Sequence, residues 1–153
     1  MKVLVVEDDL PKLRQITDLV RAELGDAEIA QRRSYQSGLE QIVETVPDLV
    51  LLDMTMPTFD VQDGAPGGRP RAYAGREILA EVVRMGIRTK VIIVTGFESF
   101  FAPGEGRITL PELKVLLEKQ FAGTYIGTVY YSASEAGWRA ELAGLIAKSR
   151  SLK

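Results

Sequence analysis

Short apolar runs alternate with stretches of helical periodicity along most of the chain. The apolar runs are rich in β-branched and aliphatic residues and predict five strands, over Val3–Val6, Ala27–Gln31, Leu49–Leu52, Val91–Val94 and Ile126–Tyr131. In the intervening segments and after the last strand, apolar residues recur every three or four positions and predict five helices. Because the central strands are apolar throughout, we expect a parallel sheet covered by helices on both faces, a doubly wound α/β domain.

Capping residues mark several of the predicted helix ends. Pro11 opens the first helix and Gly25 ends it. Ser34 is a candidate N-cap for the second helix. The segments Thr109–Glu112 and Ser132–Glu135 have the spacing of capping boxes and predict the starts of the fourth and fifth helices.

Residues 59–75 form a connection that is rich in Gly, Pro and Arg and is longer than most strand-to-helix loops. A second long segment covers residues 97–112. Neither has the composition of a linker to another domain. We therefore expect one domain over residues 1–153, with an inserted loop at about 59–75.

Composition excludes several functional classes. Apolar residues make up 46% of the chain, charged residues 26%, the net charge is −2 and the pI is near 5.3. This balance is typical of a globular protein and does not favour nucleic acid as a partner. The absence of Cys and His excludes disulfides, thiol catalysis and a histidine base on this chain. No apolar run has membrane-spanning length, so we expect a cytoplasmic protein without a membrane partner.

Acidic side chains follow two of the strongest predicted strands. Glu7, Asp8 and Asp9 come after the first strand and Asp53 after the third, while Thr95 closes the fourth. Binding groups of open parallel sheets collect at the carboxyl ends of the strands. Clustered carboxylates repel each other unless a cation binds, and an all-oxygen site suits Mg²⁺. The alternative is that these are solvated loop acids.

Three motifs carry a resemblance that extends over nearly the whole chain: VLVVEDD at 3–9, LVLLDMTMP at 49–57 and VIIVTG at 91–96. In order and spacing they resemble the receiver domains of response regulators in two-component signalling. The resemblance implies a flavodoxin-like fold with strand order 2-1-3-4-5 and a phosphoacceptor aspartate.

The resemblance also implies roles for five residues. Asp53 matches the phosphoacceptor, and Thr95 matches the hydroxyl residue that bonds the phosphoryl group. Asp8, Asp53 and the backbone carbonyl of Thr55 match the Mg²⁺ ligands, and Glu7 completes the acidic pair. The phosphoryl donor would be a phosphohistidine on a sensor histidine kinase or phosphotransfer protein. Such a protein is not an enzyme, apart from its own phosphotransfer and dephosphorylation.

The pattern departs from the family at the end of the fifth strand. Receivers carry a lysine followed by proline there, whereas residues 127–137 contain no Lys, Arg or Pro. Arg69, Arg71 or Arg76 of the inserted loop could supply a guanidinium for phosphate contact instead. The alternative, which we favour, is that these arginines are solvated.

Three functions remain open at this level. The first is a stand-alone phosphoacceptor whose output passes through protein contacts, with the downstream partner unknown and a homodimer left open. The second is a degenerate receiver that acts as an interaction module without phosphate. The third, a phosphohydrolase or nucleotide-binding enzyme, is weak because the chain lacks a P-loop, a G-x-G-x-x-G motif and an Asp-x-Asp pair after the first strand.

Overall fold

A five-stranded parallel sheet organises the protein, which is represented by a computed structural model describing residues 1–61, 67–68, 70–102, 104 and 106–151. In chain order the elements are β1 (Lys2–Val6), α1 (Leu10–Glu23), β2 (Glu28–Arg32), α2 (Tyr35–Thr45), β3 (Leu49–Leu52), β4 (Met56–Pro57), β5 (Pro70–Arg71), α3 (Ala74–Arg84), β6 (Lys90–Thr95), β7 (Ser99–Ala102), β8 (Gly106–Thr109), α4 (Leu110–Gln120), β9 (Tyr125–Tyr130) and α5 (Gly137–Ser151).

The strand order of the sheet is β2-β1-β3-β6-β9, and all four pairings are parallel. With the two short hairpins set aside, this is the predicted order 2-1-3-4-5. The fold is therefore flavodoxin-like, as the sequence motifs imply. The reversal of strand order between β1 and β3 creates a crevice at the carboxyl ends of the strands, where ligands of such sheets bind.

Successive residues of the strands point to opposite faces of the sheet and pack into two hydrophobic cores, one on each face. Leu4, Val50 and Ile93 face the core under α2, α3 and α4. Val5 and Leu51 face the core under α1 and α5, which also contains Trp138. Burial on both faces explains why the central strands are apolar throughout rather than alternating.

Two short antiparallel hairpins lie in the two long segments of the sequence. β4 pairs with β5 inside the inserted loop, and β7 pairs with β8 before α4. The sequence pattern did not predict either hairpin. Gly106, with φ of 77°, stands at the turn end of the second hairpin, in a conformation that favours glycine.

Three of the four predicted helix starts agree with the structure, including that of α1, which has Pro11 in its first turn. Ser34 accepts from the backbone of Ser37, and Thr109 forms a complete capping box with Glu112. The capping box predicted at Ser132–Glu135 is wrong, because α5 begins only at Gly137. Ser132 instead belongs to a turn, in which its carbonyl accepts from the backbone N–H of Glu135. Among the helices that the structure describes, none is long and apolar enough to cross a membrane.

Candidate functional site

Adjacent strands bring three carboxylates together at the predicted edge of the sheet. Glu7 follows β1 and Asp53 follows β3, and the N–H of Asp53 donates to the carbonyl of Val6 at 3.2 Å. Oxygen atoms of Glu7, Asp8 and Asp53 all lie within 4.8 Å of one another. Glu7 and Asp53 are buried and Asp8 is half-buried. This oxygen cluster has the composition of a site for a hard cation.

The two carboxylate oxygens of Asp53 have different surroundings. Oδ1 accepts a hydrogen bond from the N–H of Met54 at 2.6 Å. Oδ2 lies 3.1 Å from the Nζ of Lys12. The side chain is therefore held by its own backbone on one side and by an ammonium on the other.

Lys12, on the first turn of α1, is the residue that the sequence interpretation missed. Its ammonium lies 2.5 Å from Oε1 of Glu7 and 3.1 Å from Oδ2 of Asp53, and it donates to the carbonyl of Val94 at 2.9 Å. The carbonyl of Val94 accepts a hydrogen bond from the ammonium, and the two carboxylates form ion pairs with it. Lys12 is only 4% exposed, which is rare for a lysine and requires such pairing.

Helix geometry explains how a residue of α1 reaches the strand ends. Asp9 caps the helix by accepting from the N–H of Lys12 at 3.3 Å. Side chains on a helix tilt toward its N-terminus, so the long side chain of Lys12 extends back over the site. The signal was present in the sequence: Lys12 lies four and eight residues before Ile16 and Val20, in line with the buried face of α1.

Burial and charge set the protonation of this cluster. Burial, followed by the negative charge of Asp53, raises the pKa of Glu7 from 4.5 to about 8, against the lowering effect of Lys12. Burial lowers the pKa of Lys12, but the Asp53 and Glu7 carboxylates outweigh burial and hold that pKa above its ordinary 10.5. One ammonium thus faces more than one carboxylate, and the site favours additional positive charge.

An aromatic residue occupies the end of the fifth sheet strand. Tyr131 directly follows β9, and its N–H donates to the carbonyl of Thr95 at 2.8 Å. The ring centroid lies 5.6 Å from Nζ of Lys12, and the hydroxyl donates to Gln15 of α1 at 2.9 Å. Tyr131 therefore packs between the strand end and α1, next to the ammonium.

The other predicted site residues lie at the end of β6 and in the segment after β3. Thr95 is fully buried at the end of β6, and its Oγ1 accepts from the N–H of Phe97 at 3.3 Å. The hydroxyl of Thr55 donates to the carbonyl of Ala72 at 3.1 Å, which ties the segment after Asp53 to the segment before α3. Gly75 allows α3 to start close to the site, since a Cβ there would lie 2.6 Å from the carbonyl oxygen of Asp53.

The guanidinium groups of Arg71 and Arg76 have partners of their own. Arg71 pairs with Glu77 at 2.9 Å and stacks over the ring of Tyr35 at 4.2 Å. Arg76 donates to Gln120 at 3.0 Å. These contacts fasten the inserted loop and α3 to neighbouring helices. Arg69 lies outside the described residues.

Known proteins similar in sequence to this chain include a response regulatory protein. No protein-family model matches the chain. It is 35% identical to the uncharacterized protein y4jR of Sinorhizobium fredii over 142 residues, covering 91% of the chain and 92% of that protein. It is 33% identical to the Detocs response regulatory protein DtcB of Enterobacter cloacae over 102 residues, covering 65% of the chain and 68% of that protein.

Solved structures of response regulators share the fold. A DNA-binding response regulator of the LuxR family from Staphylococcus aureus superposes with a TM-score of 0.63 at 24% identity, covering 97% of each chain. A response regulator receiver domain protein from Clostridium thermocellum superposes with a TM-score of 0.62 at 21% identity, covering 99% of this chain and 98% of the other. Taken with the identity to DtcB, these matches mean that the chain belongs to the response regulator family of signalling proteins and has the fold of a receiver domain.

Proposed function

We propose that this protein, a signalling protein rather than an enzyme, is a phosphoacceptor receiver that takes a phosphoryl group on Asp53. The observation that carries the proposal is the surroundings of the Asp53 carboxylate. It is buried, oriented by the backbone N–H of Met54, and lies beside two further carboxylates and one ammonium. The donor would be a phosphohistidine on a partner histidine kinase or phosphotransfer protein.

The transfer uses the carboxylate as a nucleophile. An oxygen of Asp53 forms a bond to phosphorus, while the phosphorus–nitrogen bond of the donor breaks and its electron pair returns to the imidazole. The product is an acyl phosphate on Asp53. Because the nucleophile and the phosphoryl group are both anionic, the reaction needs positive charge at the site.

Mg²⁺ fits the residues present. Glu7, Asp8 and Asp53 offer carboxylate oxygens within 4.8 Å of one another, and the donor set is all oxygen, as Mg²⁺ prefers. Asp8, Asp53 and the backbone carbonyl of Thr55 would hold the ion, with Glu7 acting through water. The bound ion would supply charge compensation to the phosphoryl oxygens during transfer.

Thr95 would report the phosphorylated state. Its hydroxyl is buried at the end of β6 and now accepts from the N–H of Phe97; if the side chain turned toward Asp53, it would give up that bond and donate to a phosphoryl oxygen instead. That exchange would move the segment after β6, which leads into the β7–β8 hairpin. Output would then pass to a partner protein through a rearranged surface.

Mass spectrometry of the intact protein tests the proposal. Wild-type protein incubated with Mg²⁺ and acetyl phosphate, or with a cognate kinase, should gain one phosphoryl group. Asp53→Asn should gain none, since the amide is not a nucleophile toward phosphorus. Asp18→Asn, which removes an exposed carboxylate from α1, is the matched control and should behave as wild type.

The opposite result would favour the interaction-module alternative. If wild-type protein gains no phosphoryl group from either donor while Mg²⁺ is present, the chain would act through protein contacts alone. A mass gain that persists in Asp53→Asn would assign the phosphoryl group to another residue.

A further inference from the structure

We propose that Lys12, supplied by α1, is the cation that binds the phosphoryl group on Asp53, in the role that receivers assign to a lysine at the end of the fifth strand. This inference rests on the proposed phosphorylation of Asp53. It goes beyond that function because Lys12 lies outside the three motifs that carry the resemblance to receivers.

The position of the ammonium is the first argument. Nζ of Lys12 is 3.1 Å from Oδ2 of Asp53, an oxygen of the reacting carboxylate. A phosphoryl group formed on this carboxylate would place anionic oxygens next to the ammonium. Hydrogen bonds between an ammonium and phosphate oxygens are among the stronger ones in proteins.

Burial of the ammonium is the second argument. A lysine that is 4% exposed has little access to water, and its charge is balanced by Glu7 and Asp53. In such surroundings a new anion gains more from the ammonium than it would at the surface. The carbonyl of Val94 accepts a hydrogen bond from the ammonium, which helps to hold the side chain in this direction.

The third argument is the position of the other cations. Within the described part of the chain, Lys12 is the only cation ion-paired to Asp53. Lys90, at the amino end of β6, donates to the carbonyl of Gly123 at the opposite edge of the sheet. Arg71 and Arg76 bind the partners described above. The exposed Arg33 donates to the backbone carbonyl of Asp8 at 3.2 Å, so a second cation lies at the rim of the acidic cluster. Among the described residues, however, it is Lys12 that pairs with Asp53 itself.

Tyr131 explains why the cation can come from α1. Its ring lies 5.6 Å from Nζ at the strand end, in the space next to the ammonium. A lysine at position 131 would compete with Lys12 for the same acceptors. The chain thus combines an aromatic residue at the strand end with a lysine on the facing helix.

The experiment measures beryllofluoride binding, because this anion is a stable analogue of the phosphoryl group on aspartate. Affinity would be followed by ¹⁹F NMR at saturating Mg²⁺. Lys12→Met should weaken binding by about tenfold to a hundredfold, the effect expected for one charge-assisted hydrogen bond. Arg14→Met removes an exposed cation from the same helix and should bind as wild type.

A rescue variant separates charge from packing. The double variant Lys12→Met/Tyr131→Lys returns an ammonium to the strand end and should recover most of the lost affinity. Mg²⁺ affinity without beryllofluoride should rise in Lys12→Met, because a competing positive charge is removed. If Lys12→Met, shown to be folded by circular dichroism, binds beryllofluoride as tightly as wild type, Lys12 is structural and the inference is wrong.

A measurement on wild-type protein decides the matter if Lys12→Met does not fold. A crystal structure of the beryllofluoride complex should place Nζ of Lys12 within hydrogen-bond distance of a fluorine atom. An ammonium that stays on Glu7 and away from the fluorines would overturn the inference. Failure of wild type to bind beryllofluoride or to gain a phosphoryl group would instead reject the phosphoacceptor function, and this inference with it.

Discussion

Two segments with basic residues flank Asp53, the start of α1 and the inserted loop. Of Lys12 and Arg71, only Lys12 pairs with Asp53. On the α1 side, residues 7–9 connect β1 to the helix, and Lys12 is buried against Asp53. On the insert side, residues 53–73 separate β3 from α3, and the side chain of Arg71 is 35% exposed and paired with Glu77. The short, helix-supported connection positions a cation at Asp53, while Arg71 of the long connection pairs with its own neighbours.

This difference shows that the number of arginines in a loop does not predict which cation pairs with a nearby buried carboxylate. A guanidinium in a long loop finds carboxylates and aromatic rings nearby, as Arg71 does with Glu77 and Tyr35. A lysine on the buried face of a helix has no such choice. It must pair with whatever anions lie within reach, and here these are Glu7 and Asp53.

The largest effect on stability is expected from Lys12→Met. Removing the ammonium leaves Glu7 and Asp53 buried without their cation, which should lower the free energy of unfolding by about 4 kcal/mol at pH 8. The loss should be smaller at pH 5, where Glu7, whose pKa burial raises to about 8, carries a proton. Urea unfolding of Lys12→Met and Arg14→Met at both pH values measures it. Equal stability of the two variants would mean that the buried ion pairs contribute nothing.

The next effect concerns Glu7 and pH. Its folded-state pKa of about 8 exceeds its ordinary 4.5, so the folded protein binds this proton more tightly than the unfolded chain. The resulting stability is full below about pH 4.5 and is lost as the pH rises through about 8. Glu7→Gln should flatten the stability profile over this range. Saturating Mg²⁺ should flatten the wild-type profile too, since the ion favours ionised carboxylates. A Glu7→Gln profile as steep as wild type would show that another group titrates there.

A smaller effect is expected on the insert side, at Gly75. A Cβ there would lie 2.6 Å from the carbonyl oxygen of Asp53 and 3.0 Å from Sδ of Met54. Gly75→Ala must therefore shift the start of α3 or the backbone at Asp53, at a cost of about 2 kcal/mol. Gly25→Ala, where a Cβ would meet nothing within 4 Å, is the control. Thermal unfolding measures both, and comparable melting temperatures would show that α3 adjusts freely.

The smallest effect is expected from Arg71→Met. Its ion pair with Glu77 is about one-third exposed, and its stacking on Tyr35 adds a modest contribution, so the loss should be about 1 kcal/mol. Arg84→Met, which breaks an exposed pair with Glu81, should cost less. Beryllofluoride binding should be unchanged in Arg71→Met and Arg76→Met. Weaker binding in either would support the sequence-based hypothesis that insert arginines contact the phosphoryl group.

Much of the fold follows from sequence pattern alone. Apolar runs such as Leu49–Leu52 have few alternatives to a strand buried on both faces, and caps at Ser34 and Thr109 are local interactions readable from neighbouring residues. Parallel strand order then brings Glu7 and Asp53 to the same edge. The acidic cluster could be predicted for this reason: it depends only on which strands are neighbours.

The cation of the site was decided by tertiary structure. Lys12 and Asp53 are far apart in sequence, and their contact depends on how α1 lies across the sheet and on the N-terminal tilt of its side chains. The same holds for Tyr131, whose ring meets α1 only because β9 and α1 pack on one face. The sequence pattern determined which strands are buried. It also determined that Glu7 and Asp53 follow the carboxyl ends of two of these strands. The direction of a long side chain between two elements required the packed structure, since several acceptors compete for one ammonium and only the packing selects among them.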